Sequence, residues 1–279
     1  MSQGAETMNA KLFDEFREIA YSKAGIYLKT GKEALVSARV GKRINHLRLT
    51  SARQYLEHLR RDESGEELVQ FLDVITTNFT SFFREAAHFD VLRQKLGAWK
   101  DSGQRTFRIW CAASSSGEEP YSIAITALDA LGAADIDLKI LATDISMRAL
   151  SIAVAGVYDA ERLAPLSREQ FDYFKPQGDG TETPNRYEVR PDVKRLIVFR
   201  RINLSKPPFP MKTPLDIVFC RNVMMYFNLT VRHRLLFDVT RLLRPDGLLF
   251  TGLAESLTGL DLPFVSLSSS VYSLQRNGR

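Results

Sequence analysis

Apolar positions in the first third of the chain recur with a helical period. Leu12, Phe13, Phe16, Ile19 and Ala20 follow the i, i+3, i+4, i+7 rule, and Tyr55, Leu56 and Leu59 repeat it. Gly25, Gly31 and Gly65 punctuate these stretches, and Thr50 and Ser51 offer an N-cap ahead of Tyr55. The pattern predicts an all-helical domain over residues 8–85, then a linker over 86–104 that closes with a polar turn.

From residue 105 to the end at 279 the texture changes. Residues 107–113, 138–143, 196–200, 216–220 and 248–251 are short β-prone runs, and stretches such as 121–131 and 232–243 between them are helical. Alternation of this kind predicts an α/β domain with a mostly parallel sheet covered on both faces. Residues 264–275 lack an intervening helix and alternate at Val271, Tyr272, Ser273 and Leu274, as an antiparallel edge does. Residues 172–201 break the alternation with Gly178, Gly180, Pro184 and Pro191 around Tyr187-Glu188-Val189. They are expected to form a small β-rich insertion, because they are too long for an ordinary loop.

Composition narrows the classes. The chain is 44% hydrophobic and 25% charged, as a globular domain is, and no apolar run approaches the roughly 18 residues of a membrane helix. Residues 1–7 lack the basic and apolar regions of a signal peptide, so a cytoplasmic protein that is not membrane-inserted is expected, as a monomer. The two cysteines, Cys111 and Cys220, sit in apolar runs as buried thiols, and the four histidines make no metal-ligand spacing, so no metal is expected. The net charge is +5, with a basic stretch from Lys29 to Arg61 that includes Lys32, Arg39, Lys42, Arg43, Arg48, Arg53 and Arg60. It is either a solvated helix face or a surface for an acidic partner.

The strongest local feature is Trp110-Cys-Ala-Ala-Ser-Ser-Ser-Gly-Glu-Glu-Pro-Tyr121. A buried strand runs into small residues that let a ligand approach the backbone, and Gly117 permits the turn. Pro120 suits the first turn of a new helix, whose free N–H groups favour an anion. The loop has no lysine for a phosphate, and Glu118 and Glu119 suit a cationic amine. Carboxylate and ammonium together describe the methionine end of S-adenosylmethionine. Downstream, Ala142-Thr143-Asp144 ends the second strand, where a carboxylate accepts ribose hydroxyls. The spacing from Gly117 is longer than the roughly 20 residues of dinucleotide folds. A strand-end Asp serves as an N-cap or as a ligand, and behind this loop the ligand role is expected. Asn222 and Tyr226, after the fourth strand, lie where a methyl acceptor would sit; Val223, Met224 and Phe227 are read as core.

Taken together, Asn78-Phe-Thr-Ser-Phe-Phe-Arg-Glu85, the loop 112–121, Ala142-Thr-Asp-Ile145, Gly156-Val-Tyr158, Asn203-Leu204 and Phe219-Cys-Arg-Asn-Val-Met-Met-Tyr-Phe227 resemble the CheR chemoreceptor methyltransferases in order and spacing. The resemblance covers nearly the whole chain. It implies a Rossmann-like S-adenosylmethionine methyltransferase domain with a small β-subdomain, behind a helical domain. It also implies that Asn78, Thr80, Arg84, Ala112, Gly117, Glu118, Asp144, Asn203, Leu204, Arg221 and Asn222 serve the cofactor, and that Arg84 and Tyr226 flank the transferred methyl. The implied reaction esterifies glutamates on the acidic methylation helices of a chemoreceptor's cytoplasmic domain and leaves S-adenosylhomocysteine. A nucleic-acid methyltransferase is the first competitor. It usually carries an Asp/Asn-Pro-Pro-aromatic motif after the fourth strand, where this chain has Arg-Asn-Val-Met-Met-Tyr. The second is a docking protein that binds cofactor without turnover, against which Arg84, Asp144, Asn222 and Tyr226 all stand in place.

Overall fold

The computed structural model describes residues 8–76, 79–132, 135–178, 185–212 and 214–275. It divides into two compact units. One holds the chain through Phe79 together with Met225–Arg232; the other holds Thr80–Met224 and the chain from His233 onward.

The first unit is built from α1 (Ala10–Ala24), α2 (Glu33–His46), α3 (Ala52–Arg61) and α4 (Glu66–Ile75). Asn9 caps α1 by accepting the Leu12 N–H, and Ser51 caps α3 by accepting that of Gln54. The α1 helix ends at Gly25, whose φ of 71° is a left-handed turn that glycine makes without strain. The apolar stripes of α1, α3 and α4 meet in an aromatic centre, where the rings of Phe16, Tyr55 and Phe71 lie 5.5–6.4 Å apart. Beside it Arg43 forks onto Glu67 at 3.0 and 2.6 Å, and the Tyr55 hydroxyl donates to the same carboxylate at 2.7 Å. Burial and the bond to Glu67 push the Tyr55 phenol well above its usual range.

The second unit begins with α5 (Ala87–Asp101), β1 (Thr106–Cys111), α6 (Glu118–Leu131), β2 (Asp137–Asp144) and α7 (Met147–Ala155). A smaller region follows, with β3 (Val157–Asp159), α8 (Ala160–Leu163), α9 (Arg168–Phe171), β4 (Phe174–Pro176), β5 (Arg186–Val189) and α10 (Pro191–Lys194). Then come β6 (Ile197–Arg201), β7 (Leu215–Cys220), α11 (Leu229–Leu242, whose first turn is counted with the first unit), β8 (Leu243–Thr251), β9 (Phe264–Ser268) and β10 (Val271–Leu274).

The main sheet has the order β6-β2-β1-β7-β8-β10-β9. Its pairs from β6 to β8 are parallel, and β10 runs antiparallel to both β8 and β9, which is the edge expected of residues 264–275. All six residues of β7 are buried, as a central parallel strand requires. Phe219 and Phe250 stack across β7 and β8 with centroids 4.4 Å apart. At the other end of the strands Asp216 accepts the Arg108 N–H at 2.6 Å and the Gln104 amide at 2.8 Å. Arg244, stacked on Trp99 at 4.3 Å, lies 3.1 Å from the same carboxylate.

Three boundaries differ from the sequence reading. The first unit ends at Phe79 and not at residue 85, so residues 80–85 belong to the second unit. Residues 86–104 are mostly α5, which packs on α6 and buries Phe89, Leu92 and Leu96 in the sheet's core, so this segment is a layer of the second unit and not a connection. The small antiparallel sheet, β3-β5-β4, starts at Val157, ahead of the expected 172–201, while the residues at its far end form β6 and pair in parallel with β2. Gly156, left-handed at φ 60°, turns the chain from α7 into β3, and its carbonyl accepts the Val189 N–H at 2.8 Å. Residues 179–184 of the insertion lie outside the described residues.

Replacing Glu67 with Ala leaves the Arg43 fork and the Tyr55 hydroxyl without their acceptor. Removing one partner of a buried ion pair costs about 3–5 kcal/mol, and urea unfolding should show a loss of that order. A change below about 0.5 kcal/mol, the size of an ordinary surface substitution, would mean the pair is solvated.

Candidate active site

The carboxyl ends of β1, β2, β6 and β7 gather the expected residues of the second unit. After β1 the backbone is carried by its neighbours: the Ala112 N–H donates to Phe219 O at 2.8 Å, and Ser114 donates to Thr143 O at 2.9 Å. Ser115 takes a positive φ of 46° and donates its N–H to Asp144 Oδ2 at 2.8 Å. Gly117, at φ 103°, begins α6. A Cβ there would stand 2.6 Å from the Tyr158 hydroxyl and 2.9 Å from Ala153 Cα, so only glycine fits. The Tyr158 hydroxyl in turn donates to Ser116 O at 2.8 Å, which draws the small sheet under the loop.

Asp144 is the staple of this half of the site. Its other oxygen accepts the Ser146 N–H at 2.9 Å, and its carbonyl accepts the Ile202 N–H at 3.2 Å, which brings Asn203 and Leu204 alongside. Burial pushes its pKa up, partly offset by the N–H groups of Ser146 and Ser115. Asn203 Oδ1 accepts both the N–H and the hydroxyl of Ser205, and Leu204 is buried.

Glu118 and Glu119 do not act as the pair that the sequence reading made of them. Neighbouring side chains on a helix point about 100° apart, and these two find separate partners. Glu118 is buried, accepts the Ser116 hydroxyl at 2.7 Å and pairs with Arg162 at 2.5 Å. Glu119 pairs with Arg221 at 2.9 Å and accepts the Cys111 thiol at 3.3 Å. Burial pushes the pKa of Glu119 up, with Arg221 opposing.

The second half of the site centres on Arg221, whose side chain is wholly buried. Besides Glu119 it meets Glu85 Oε2 at 3.1 Å and donates to the Arg84 carbonyl at 2.5 Å. Asn222, left-handed at φ 56°, donates its amide to Glu85 Oε1 at 3.2 Å and its N–H to Glu255 Oε2 at 2.7 Å. The Gly252 N–H donates to the same Glu255 oxygen at 2.8 Å. Thr80 is half-buried ahead of this turn, and Arg84 is half-buried within it. Tyr226 belongs to the first unit, where its carbonyl accepts the Tyr27 N–H at 2.7 Å, and Asn78 lies outside the described residues.

Sequence reasoning missed Glu85, Glu255 and the true partners of Glu119. The available signal was charge balance: an arginine at the end of a fully buried strand must be met by carboxylates. The donor set suits S-adenosylmethionine. Asp144 keeps acceptor capacity for a ribose beyond the N–H groups of Ser115, Ser146 and Ile145, since a carboxylate has about four lone-pair sites. The start of the 14-residue α6 offers N–H groups to a carboxylate. Among the described residues no cluster of His, Cys, Asp or Glu could hold a metal, and no helix is long and apolar enough to cross a membrane.

Comparison with known proteins agrees with this geometry. Residues 78–273 match the family described as CheR methyltransferase, SAM binding domain, and residues 11–76 match CheR methyltransferase, all-alpha domain. Chemotaxis protein methyltransferase 2 of Pseudomonas aeruginosa is 40% identical over 94% of this chain and 92% of its own length. The chemotaxis protein methyltransferase of Salmonella typhimurium is 37% identical over 95% of this chain and 90% of its own.

One buried group beside Arg221 predicts a pH dependence. Burial lowers the His88 pKa from 6.5 to about 4, and Arg221 adds to the effect while Glu85 opposes it. Between those values the unfolded chain binds the imidazole proton and the folded one does not, so stability falls as pH drops from about 6.5 to about 4. Glu85, held below its usual range by Arg221 and Asn222 against the effect of burial, sheds its share at still lower pH. In His88→Phe the decline of Tm over the His88 window should flatten; an unaltered acid limb would assign it to other groups.

Proposed function

The chain belongs to the CheR methyltransferase family, and from that premise we propose that it methylates glutamate side chains on the cytoplasmic helices of a chemoreceptor, with S-adenosylmethionine as methyl donor. The observation that carries the reading is the pairing of a ribose-type carboxylate, Asp144, with a turn that holds Arg84 at the same strand ends.

Bound S-adenosylmethionine supplies a methyl group on a sulfonium that leaves as a neutral thioether. A glutamate is already ionised at neutral pH, since its ordinary pKa is about 4.3, so the site needs no general base. What remains for the protein is alignment, which is worth up to roughly 7–11 kcal/mol. Arg84 is assigned to orient the carboxylate, because its planar fork matches two oxygens. Held too tightly, the carboxylate would lose nucleophilicity, and a single hydrogen bond from Tyr226, the other residue of the family pattern, is assigned to set that balance. Asp144 is assigned to the ribose, with Asn203, Leu204, Ala112 and the turn at Gly117 lining the cofactor.

The basic stretch of the first unit supports an acidic partner more narrowly than its composition implied. Arg43 is committed to Glu67, Arg53 and Arg60 to Glu15, and Arg39 to the Ile75 carbonyl. Lys29, Lys32, Lys42 and Arg48 are exposed and are the residues assigned to steer acidic helices.

Peptide mass spectrometry of a receptor's cytoplasmic fragment, incubated with the protein and S-adenosylmethionine, tests the reading. Methyl groups should appear on glutamates; methylation of lysine, arginine or nucleic acid instead would contradict it. Arg84→Ala should lower kcat on the order of 100-fold with little change in cofactor affinity. Asp144→Ala should weaken cofactor binding about tenfold or more, as loss of a hydrogen bond to a charged group does, and it also frees the Ser115 and Ser146 N–H groups. Equal cofactor affinity in the Asp144 variant and the wild type would remove the ribose assignment.

A further inference from the structure

Family resemblance groups Arg221 with the cofactor ligands, yet its surroundings describe a different task. The guanidinium is completely buried beyond the end of β7; both of its terminal nitrogens are met by groups of the protein itself, and its Nε has no hydrogen-bond partner among the described residues. Nη1 meets Glu119 Oε2 at 2.9 Å, and Nη2 meets both Glu85 Oε2 at 3.1 Å and the Arg84 carbonyl at 2.5 Å. The Phe89 ring lies against it, 5.7 Å from its central carbon. One planar group therefore joins β7, the first turn of α6 and the turn that leads into α5.

That turn has reason to need a clamp. Phe83 and Glu85 are non-glycine residues at φ 51° and 59°, the left-handed region that L side chains enter at a cost. Such a conformation persists only where its surroundings over-determine it. Here the Phe83 N–H is tied to Ser122 Oγ at 2.9 Å, the Arg84 carbonyl to Arg221, and the Glu85 carboxylate to Arg221 and the Asn222 amide. The backbone on both sides of Arg84 is thus fastened, and with it the direction in which the Arg84 side chain leaves the turn.

We infer that Arg221 is a positioning residue for methyl transfer: its guanidinium, buried in an all-protein cage, fixes the Phe83–Glu85 turn that aims Arg84, and the side chain does not itself bind the cofactor. The inference rests on the reading of Arg84 as the residue that orients the acceptor carboxylate. Lysine cannot take its place, because a point charge on a flexible stem lacks the planar fork that reaches three acceptors together.

The experiment compares wild type with Arg221→Lys, measuring thermal unfolding, S-adenosylhomocysteine affinity by calorimetry, kcat and KM on a receptor fragment, and amide exchange across Phe83–Glu85. Positioning predicts, for the folded variant, cofactor Kd within threefold of wild type, kcat at least tenfold lower, and faster exchange of the Phe83–Glu85 amides. A Kd at least tenfold weaker would make Arg221 a cofactor ligand and overturn the inference. A lower Tm with unchanged kcat, Kd and exchange would reduce it to a stabilising residue and overturn it equally. Should Arg221→Lys fail to fold, Glu85→Gln removes one arm of the clamp while keeping an acceptor for Asn222. It should show the same pattern more weakly, with kcat at least threefold lower and Kd unchanged, and wild-type kcat would contradict the clamp. A wild type without methyl transfer to the receptor would sink the functional reading alone. Amide exchange still decides the clamp in that case, since unchanged protection in the variant overturns it.

Discussion

A guanidinium withdrawn completely from water at the tip of a central strand dictates much of what surrounds it. The Arg221 charge is tolerable only where carboxylates and a carbonyl converge on it. Glu119 and Glu85 supply the charge, and the Arg84 carbonyl supplies a further acceptor. Meeting that demand sets where α6 starts and how the chain turns into α5. It also explains the neighbours: His88 is held neutral by burial and by the same charge, and Asn222 adopts a left-handed backbone that lets it reach Glu85 and Glu255 at once. The apolar layer of Phe89, Phe219 and Phe250 keeps water from weakening these bonds.

The opposite half of the site depends on a single carboxylate. Asp144 holds the Ser115 and Ser146 N–H groups, and its carbonyl draws in the segment that carries Asn203 and Leu204. The alternatives of cap and ligand are chemically compatible, since a carboxylate that fastens loop amides keeps lone pairs. The strand ends thereby carry two preorganised halves, to which the proposed function assigns a nucleoside and an acceptor carboxylate. Preorganisation of this kind is the main lever open to a reaction that needs no proton transfer.

The alternation of strands and helices was legible because the central strand of the parallel region, β7, is buried throughout and reads from Ile217 to Cys220 as an apolar run. The small sheet was only partly legible: Val157–Asp159 is too short to show a period of two, so its start was placed too late. The helix at Ala87–Asp101 showed its apolar face at Phe89, Leu92 and Leu96, but nothing local said which unit that face would join. The turn at Gly117 and the strand end at Asp144 were readable in their position from residue types, because the determinants are local. The cage around Arg221 was not, since Arg84 and Glu85 lie 137 residues from Arg221 and Asn222 along the chain. The basic stretch misled in a related way: composition counts charges, whereas several of these arginines are already paired inside their own unit.

Methyl esterification is the chemistry proposed for this arrangement, and the bond formed is its most direct signature. Radiolabelled methyl from S-adenosylmethionine, transferred to receptor-containing membranes and then exposed to mild base, reads that bond. The account predicts label in a receptor band that leaves as methanol, as a carboxyl ester requires. Label that survives base, and so sits on nitrogen or carbon, would contradict it, as would a protein that binds the cofactor and labels no receptor.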